Sequence, residues 1–213
     1  MLKALISASG SYLDNEVFSI DKNKYDLIIA VDGGIYHLKK LGLKPNYFVG
    51  DMDSNDEISS SYIRELGDLK IEKLNPEKDF TDLEYALIRA SEIGVTDIDI
   101  IGAIGSRFDH SFVNAGLIVK FANSFNSIQI TDGLNYIMPL MKTMQIKNKV
   151  GYTLSIMPFS KIESLSMKGF KYALDNKDIM PFTSLLSSNE ITDNNAEISF
   201  SSGFGVVILN LGF

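Results

Sequence analysis

Aspartates recur in this sequence at the places where an apolar run stops. Asp32 follows Leu27–Val31, and Asp51 and Asp53 follow Tyr47–Val49 in the stretch VGDMDS. Asp79 and Asp82 lead into a helical pattern, and Asp109 stands beyond Asp97–Ile101. Carboxylates gathered at one place raise one another's pKa, so they are most readily kept charged by a divalent cation. Mg²⁺ suits, because hard oxygen ligands and phosphate oxygens form its usual shell. Taken singly, an aspartate after a strand is more often a turn or cap residue, and Asp79 and Asp82 are favoured near a helix N-terminus with or without a ligand. Asp51 and Asp53 are better placed: in an extended segment they project to one side, as two ligands of one ion should.

Two glycine turns complement the acids. Asp32-Gly33-Gly34 and the stretch Gly102 to Arg107, with Gly105 inside it, each follow a strand pattern, and glycine there lets backbone N–H groups approach phosphate oxygens. Neither turn is a GxxxxGK[ST] loop or a GxGxxG fingerprint. Arg107 beside Asp109 and His110 suggests a guanidinium that clamps phosphate while a carboxylate orients it or binds metal. From local sequence alone, a surface salt bridge for Arg107 and a helix-start role for His110 are equally good readings. His37, next to Lys39 and Lys40, reads as part of a solvated face. No GxSxG elbow and no HExxH motif is present, and the two histidines have no triad-like neighbourhood.

The elements that must position these groups fall into two textures. Strand patterns at Lys3–Ser7, Leu27–Val31, Tyr47–Val49, Lys70–Leu74, Asp97–Ile101 and Ser127–Thr131 alternate with helical ones, which predicts a mostly parallel sheet flanked by helices. The clearest helix runs from Asp82 to Ile93, opened by a capping box of Thr81 and Glu84 and closed by Gly94. A second follows His110 and turns Val113, Leu117, Ile118 and Phe121 inward. In an open sheet of this kind, ligands bind beyond the carboxyl ends of the strands, where the aspartates lie. From residue 132 onward, short strand-like pieces are broken by Gly, Pro, Asn and Ser, and the pattern predicts an all-β sandwich. In that half the strands expected are Thr143–Ile146, Thr153–Met157, Ile162–Met167, Ala196–Phe200 and Val206–Leu209, with Ser184–Asn195 a long loop. The expected domains are therefore 1–131, α/β, and 132–213, β.

Composition narrows the function further. The chain has 213 residues with 20 basic and 27 acidic side chains, and the whole excess of seven negative charges lies in residues 1–131. That balance argues against a nucleic-acid binder. With no cysteine, thiol and thiolate-zinc chemistry are excluded. No apolar run reaches the ~18 residues of a bilayer span, and the opening MLKALISASG lacks a secretory core, so the expectation is a soluble cytoplasmic protein with no membrane partner.

In order along the chain, VDGG (31–34), GDMDS (50–54), KDFTDLEYAL (78–87), GAIGSRFDHSFVN (102–114), MKGFKYAL (167–174) and SSNEIT (187–192) resemble the successive signatures of the thiamine pyrophosphokinase family. The resemblance implies an α/β nucleotide-binding catalytic domain, a thiamine-binding β-sandwich, and a homodimer with active sites at the subunit interface. It also implies transfer of the β,γ-diphosphoryl group of ATP to the hydroxyl of thiamine, with Mg²⁺ required, giving thiamine diphosphate and AMP. On that resemblance Asp51, Asp53 and Asp79, with Asp82, surround metal and triphosphate. Arg107, Asp109 and His110 contact phosphates or position the attacking hydroxyl. Asp32, Gly33, Gly34, Gly102 and Gly105 approach the nucleotide, and Ser188 and Asn189 reach thiamine. The sequence departs from the family pattern in the SASGS turn, in Met52 within GDMDS, and in lacking tryptophan, so stacking on the pyrimidine falls to Phe or Tyr. Two other classes stay open at this stage: a non-catalytic sensor of nucleotide or thiamine, and a Mg²⁺-dependent phosphohydrolase.

Overall fold

The computed structural model describes residues 1–14, 20–21, 23–50, 57–74 and 79–211. They form two compact units, Met1–Gly133 and Leu134–Phe213. Asp132 and Gly133 stay with the first unit because Asp132 O accepts from Leu13 N and Gly133 N donates to Thr131 Oγ1.

In the first unit six strands, β1 (Lys3–Ser7), β2 (Leu27–Val31), β3 (Tyr47–Gly50), β4 (Lys70–Lys73), β5 (Asp97–Ile101) and β6 (Ser127–Thr131), pair in parallel in the order β6-β5-β1-β2-β3-β4. The fully buried run LIIAV of β2 is what a strand covered on both faces requires. Helices α1 (Ile35–Leu41), α2 (Glu57–Glu65), α3 (Asp82–Ile93) and α4 (Phe108–Lys120) supply the cover. Leu5, Ile28, Ala30, Phe48 and Ile101 pack with Ile35, Leu38, Leu41 and Ile63 in one cluster. Helix α3 has the bounds and ends its sequence predicts. Thr81 Oγ1 accepts from Glu84 N at 3.2 Å, and Gly94 closes the helix at φ 88°. The Glu84 carboxylate pairs with Lys120, tying α3 to α4.

Strand order reverses beside β1. The chain steps outward from β1 through β2 and β3 to β4, then returns to the other flank of β1 as β5. The carboxyl ends of β1 and β5 at that reversal are where an open sheet of this kind places its ligand crevice.

Helix α4 corrects two expectations. It begins at Phe108, so His110 lies within its first turn, ahead of where the helix was expected to start. Its inward stripe is Asn114, Leu117, Ile118 and Phe121, while Val113 is 48% exposed. Spacings of three, four and seven residues from Asn114 place those four on one face and rotate Val113 off it.

The second unit is all β. Strands β7 (Asn135–Leu140), β9 (Tyr152–Pro158), β12 (Asn189–Glu190) and β14 (Gly205–Leu211) pair antiparallel in the order β12-β9-β14-β7. A second antiparallel sheet, β11-β10-β13-β8, is built from β8 (Met144–Lys147), β10 (Ile162–Lys168), β11 (Leu174–Ile179) and β13 (Asn195–Ser199). Inward residues of both layers, among them Leu154, Ile156 and Val207 against Leu165, Met167 and Ile198, share one core, which makes the unit a sandwich. Strands β7, β11 and β12 are absent from the sequence reading. Pro139 obscures β7, and β11 reads LDNKDI, an exposed edge strand whose charges guard it from further pairing. The stretch 184–195 carries β12 and the buried Leu186, Asn189 and Ile191, so it is more ordered than a surface loop.

Candidate active site

The chain leaving β1 runs beside the chain leaving β5. Ala8 N donates to Ile101 O at 2.8 Å, Gly10 N to Gly102 O at 2.6 Å and Ser11 N to Ile104 O at 2.6 Å. Gly102 makes this approach possible: its φ is +67°, and a Cβ on it would stand 2.0 Å from Ala8 O. Against these paired loops lies a cavity of about 320 Å³, within the usual size range of a small-ligand site. Four separate segments wall it: Ala8 to Gly10 after β1, Asp32 after β2, Thr81 to Leu83 opening α3, and residues between Gly102 and Asn114.

Asp32 sits at φ 46°, a left-handed conformation that Asp tolerates better than most residues, and heads a 3₁₀ turn, Asp32–Gly34. Its Oδ1 is so near Gly50 that a Cβ there would lie 2.1 Å away. The carboxylate of Asp32 thus lies against the last described residue before the Asp51–Asp53 stretch. Asp51 and Asp53 themselves lie outside the described residues. Asp82 is half-buried at the start of α3 and lines the cavity, whereas Asp79 is exposed and does not. Among the described residues no three His, Asp or Glu side chains are grouped to hold a metal. The donors that do line the cavity, Asp32 and Asp82, are hard carboxylate oxygens of the type Mg²⁺ takes.

The glycines do structural work first. Gly34 is buried beneath β1: a Cβ on it would lie 1.9 Å from Ser7 O, and Ser7 Oγ donates to Gly34 O at 2.8 Å. Gly34→Ala therefore has to push the turn off the strand, and we expect it to cost roughly 1–3 kcal/mol, read as a lower urea midpoint. An unchanged midpoint would show that the strand yields freely. Gly33 faces Ser9, and Gly105 packs on Gly10.

Arg107 and Asp109 form a two-point pair, Nη2 to Oδ2 at 2.6 Å and Nε to Oδ1 at 3.3 Å, and both side chains are exposed. The Arg107 hydrogen bond holds the Asp109 carboxyl below its ordinary 3.8, and Asp109 in turn raises the guanidinium. With the folded pKa lowered, the pair persists above 3.8 and is lost only as pH falls through the lower value, so it is intact at neutral pH. Arg107 and His110 line the cavity; Asp109 stands behind Arg107 and does not. His37 corrects the solvated-face reading. It is half-buried, its Nε2 lies 2.7 Å from Gly10 O, and Tyr12 meets it edge-on. To donate to that carbonyl, Nε2 must carry the proton. Sequence reasoning also passed over Ser111 and Asn114, although both stand inside the GAIGSRFDHSFVN block and line the cavity.

In the second unit, Ser188 lies at φ 54° and its N–H donates to Ser155 Oγ at 2.9 Å. Asn189 is buried, and its amide is engaged on both sides: Oδ1 accepts from Tyr172 N at 3.0 Å, and Nδ2 donates to Tyr172 O at 2.8 Å. Asn189 thus fixes the backbone of Tyr172, a residue that is 66% exposed.

A parallel α/β unit whose crevice at the strand-order reversal gathers acids and an arginine, joined to a β-sandwich, defines a phosphate-handling enzyme of the doubly wound class. Two family models agree in detail. Residues 21–131 match "Thiamin pyrophosphokinase, catalytic domain" and residues 142–204 match "Thiamin pyrophosphokinase, vitamin B1 binding domain". The chain belongs to the thiamin pyrophosphokinase family. It is 33% identical over 196 residues to the thiamine pyrophosphokinase of Bacillus subtilis (strain 168), covering 87% of this chain and 88% of that one. The crystal structure of the thiamine pyrophosphokinase from Bacillus subtilis superposes with a TM-score of 0.86 at 29% identity, covering 99% of this chain and 100% of the other. That of the enzyme from Geobacillus thermodenitrificans gives 0.84 at 28% identity, covering 99% and 97%.

Proposed function

We propose that the cavity beside β1 and β5 holds the triphosphate of ATP and that the β-sandwich presents thiamine. As a family member the chain is an ATP:thiamine diphosphotransferase, making thiamine diphosphate from thiamine and ATP. The observation that carries the site is the convergence of Asp32, Asp82, and Arg107 with His110, from three parts of the chain, on one pocket at the strand-order reversal.

In the proposed reaction the hydroxyethyl oxygen of thiamine bonds to the β-phosphorus of ATP, the bond from that phosphorus to the α,β-bridging oxygen breaks, and AMP leaves. The hydroxyl proton passes to an aspartate. Such a transfer asks little covalent work of the protein and depends on placement and charge compensation. Arg107, oriented by Asp109, grips phosphate oxygens, and His110 in the first turn of α4 contacts them from the same side. Asp32 and Asp82, with Asp51 and Asp53, would hold Mg²⁺, which when bound would neutralise phosphate charge; Asp79, exposed outside the cavity, is left out of that set. Gly33, Gly34, Gly102 and Gly105 let the loops approach the nucleotide closely. The seven-charge acidic excess of residues 1–131 attracts the thiazolium cation.

Ser188 and Asn189 serve thiamine in this reading. Asn189 does so through Tyr172, the exposed aromatic that it fixes and our choice for stacking on the pyrimidine. A cytoplasmic homodimer, with a partner copy completing each site, belongs to the same proposal and rests on family likeness. Among the described residues, no helix is long and apolar enough to cross a membrane.

The test is to incubate purified protein with MgATP, with and without thiamine, and to separate the nucleotides. AMP appearing only with thiamine is the expected result. Phosphate release without thiamine would make the protein a hydrolase, and bound nucleotide without turnover would make it a sensor.

A further inference from the structure

In the stretch Ile101–Gly105 every carbonyl is already an acceptor. Ile101 O, Gly102 O and Ile104 O take N–H groups from the β1 exit, at 2.8, 2.6 and 2.6 Å. The remaining two are taken by side chains of α4: Asn114 Nδ2 donates to Ala103 O at 2.7 Å, and Ser111 Oγ lies 3.2 Å from Gly105 O. Ser111 does more than close that set. Its Oγ accepts from Gly105 N at 3.0 Å and also lies 3.0 Å from Arg107 O. A hydroxyl has one proton, so Ser111 shares it between the two carbonyls while always accepting from Gly105. Arg107 O also accepts from Ser111 N at 3.0 Å, so the main chain of the arginine is held where α4 begins.

We infer that Ser111 and Asn114 are positioning residues that sew the Gly102–Arg107 loop to α4 and thereby set where the Arg107 guanidinium stands. An arginine side chain multiplies any displacement of its Cα, and a misplacement of about 1 Å at a reacting group can cost about 10²-fold in rate. The loop is stitched to the β1 exit on one side and to α4 on the other, and Asp109 restrains the side chain of Arg107. The charge of Arg107 is then ready before phosphate arrives, and no loop ordering has to accompany binding.

A double-mutant cycle tests this, resting on the diphosphotransfer reading only for its first readout. Thiamine-dependent AMP formation is measured for wild type, Ser111→Ala, Arg107→Ala and the double variant. Ser111→Ala is expected to lower kcat about 10- to 100-fold with the thiamine KM unchanged, Ser111→Thr to recover most of that loss, and Ser111→Ala to add less than about 3-fold when Arg107 is already Ala. Equal fold-losses in both backgrounds would overturn the inference, because Ser111 would then act independently of Arg107. Should Ser111→Ala fail to fold, Asn114→Asp, which loses the donor to Ala103 O, runs through the same cycle. Should wild type form no AMP, the diphosphotransfer reading fails by itself. The cycle is then read from calorimetric MgADP affinity, with the same non-additivity required.

Discussion

Asp82→Asn is expected to lower kcat/KM for thiamine-dependent AMP formation by about 10²–10³-fold, roughly 2.7–4 kcal/mol of transition-state stabilisation, the size of loss seen when one preorganised electrostatic contact, such as an oxyanion-hole donor, is removed. Asp82 opens α3 and lines the cavity, and Asn keeps its volume while removing the charge. The effect should fall on activity far more than on folding. As a first-turn acid, Asp82 contributes only about 0.3–1 kcal/mol through the helix dipole, and the cap made by Thr81 and Glu84 stays in place. Steady-state kinetics at several Mg²⁺ concentrations, with melting curves alongside, provide the measurement. A variant that turns over like wild type would remove Asp82 from the site. A variant that loses activity only by unfolding would make it a structural residue.

Arg107→Lys is the second large effect, and we expect a loss of about 10²–10³-fold in kcat/KM despite retention of the positive charge. The planar fork of arginine can engage a carboxylate and a phosphate at two points each, whereas lysine is a flexible point charge. Arg107 is exposed and, among the described residues, its ion pair is with Asp109 in the first turn of α4, so melting temperature should not move. Full activity in the lysine variant would show that charge alone suffices and that the two-point geometry with Asp109 is incidental. Full loss in Arg107→Ala beside partial activity in the lysine variant would apportion the effect between charge and shape.

Much of the α/β unit is legible in the chain. Strands β1, β2, β5, β6 and helix α3 have the bounds that their patterns predict: β2, buried on both faces, is written as an unbroken apolar run, and α3 carries its own cap residues at both ends. The sandwich was less legible. Strand β11 carries four consecutive polar residues, Asp175 to Asp178, and is a strand because β10 offers it an edge to pair with. The buried members of 184–195 look like loop residues until their neighbours are known. Asn189 illustrates the reason: its two hydrogen bonds go to Tyr172, seventeen positions away in the chain.

The candidate site divides along the same line. Which side chains are acids, that Arg107 stands two residues from Asp109, and that their order matches a family's motifs are facts of sequence, since chemical identity and short-range spacing are written into the polymer. That Asp32 and Asp82 face one cavity while Asp79 stays outside was decided by the fold. So was the place of His37, bonded to Gly10 across twenty-seven positions when its charged neighbours suggested solvent. The same holds for the tying of the glycine loop by Ser111 and Asn114. Orientation and distance between remote residues arise from how a sheet orders its strands and which way a helix rolls to bury its apolar stripe, and no local pattern encodes either.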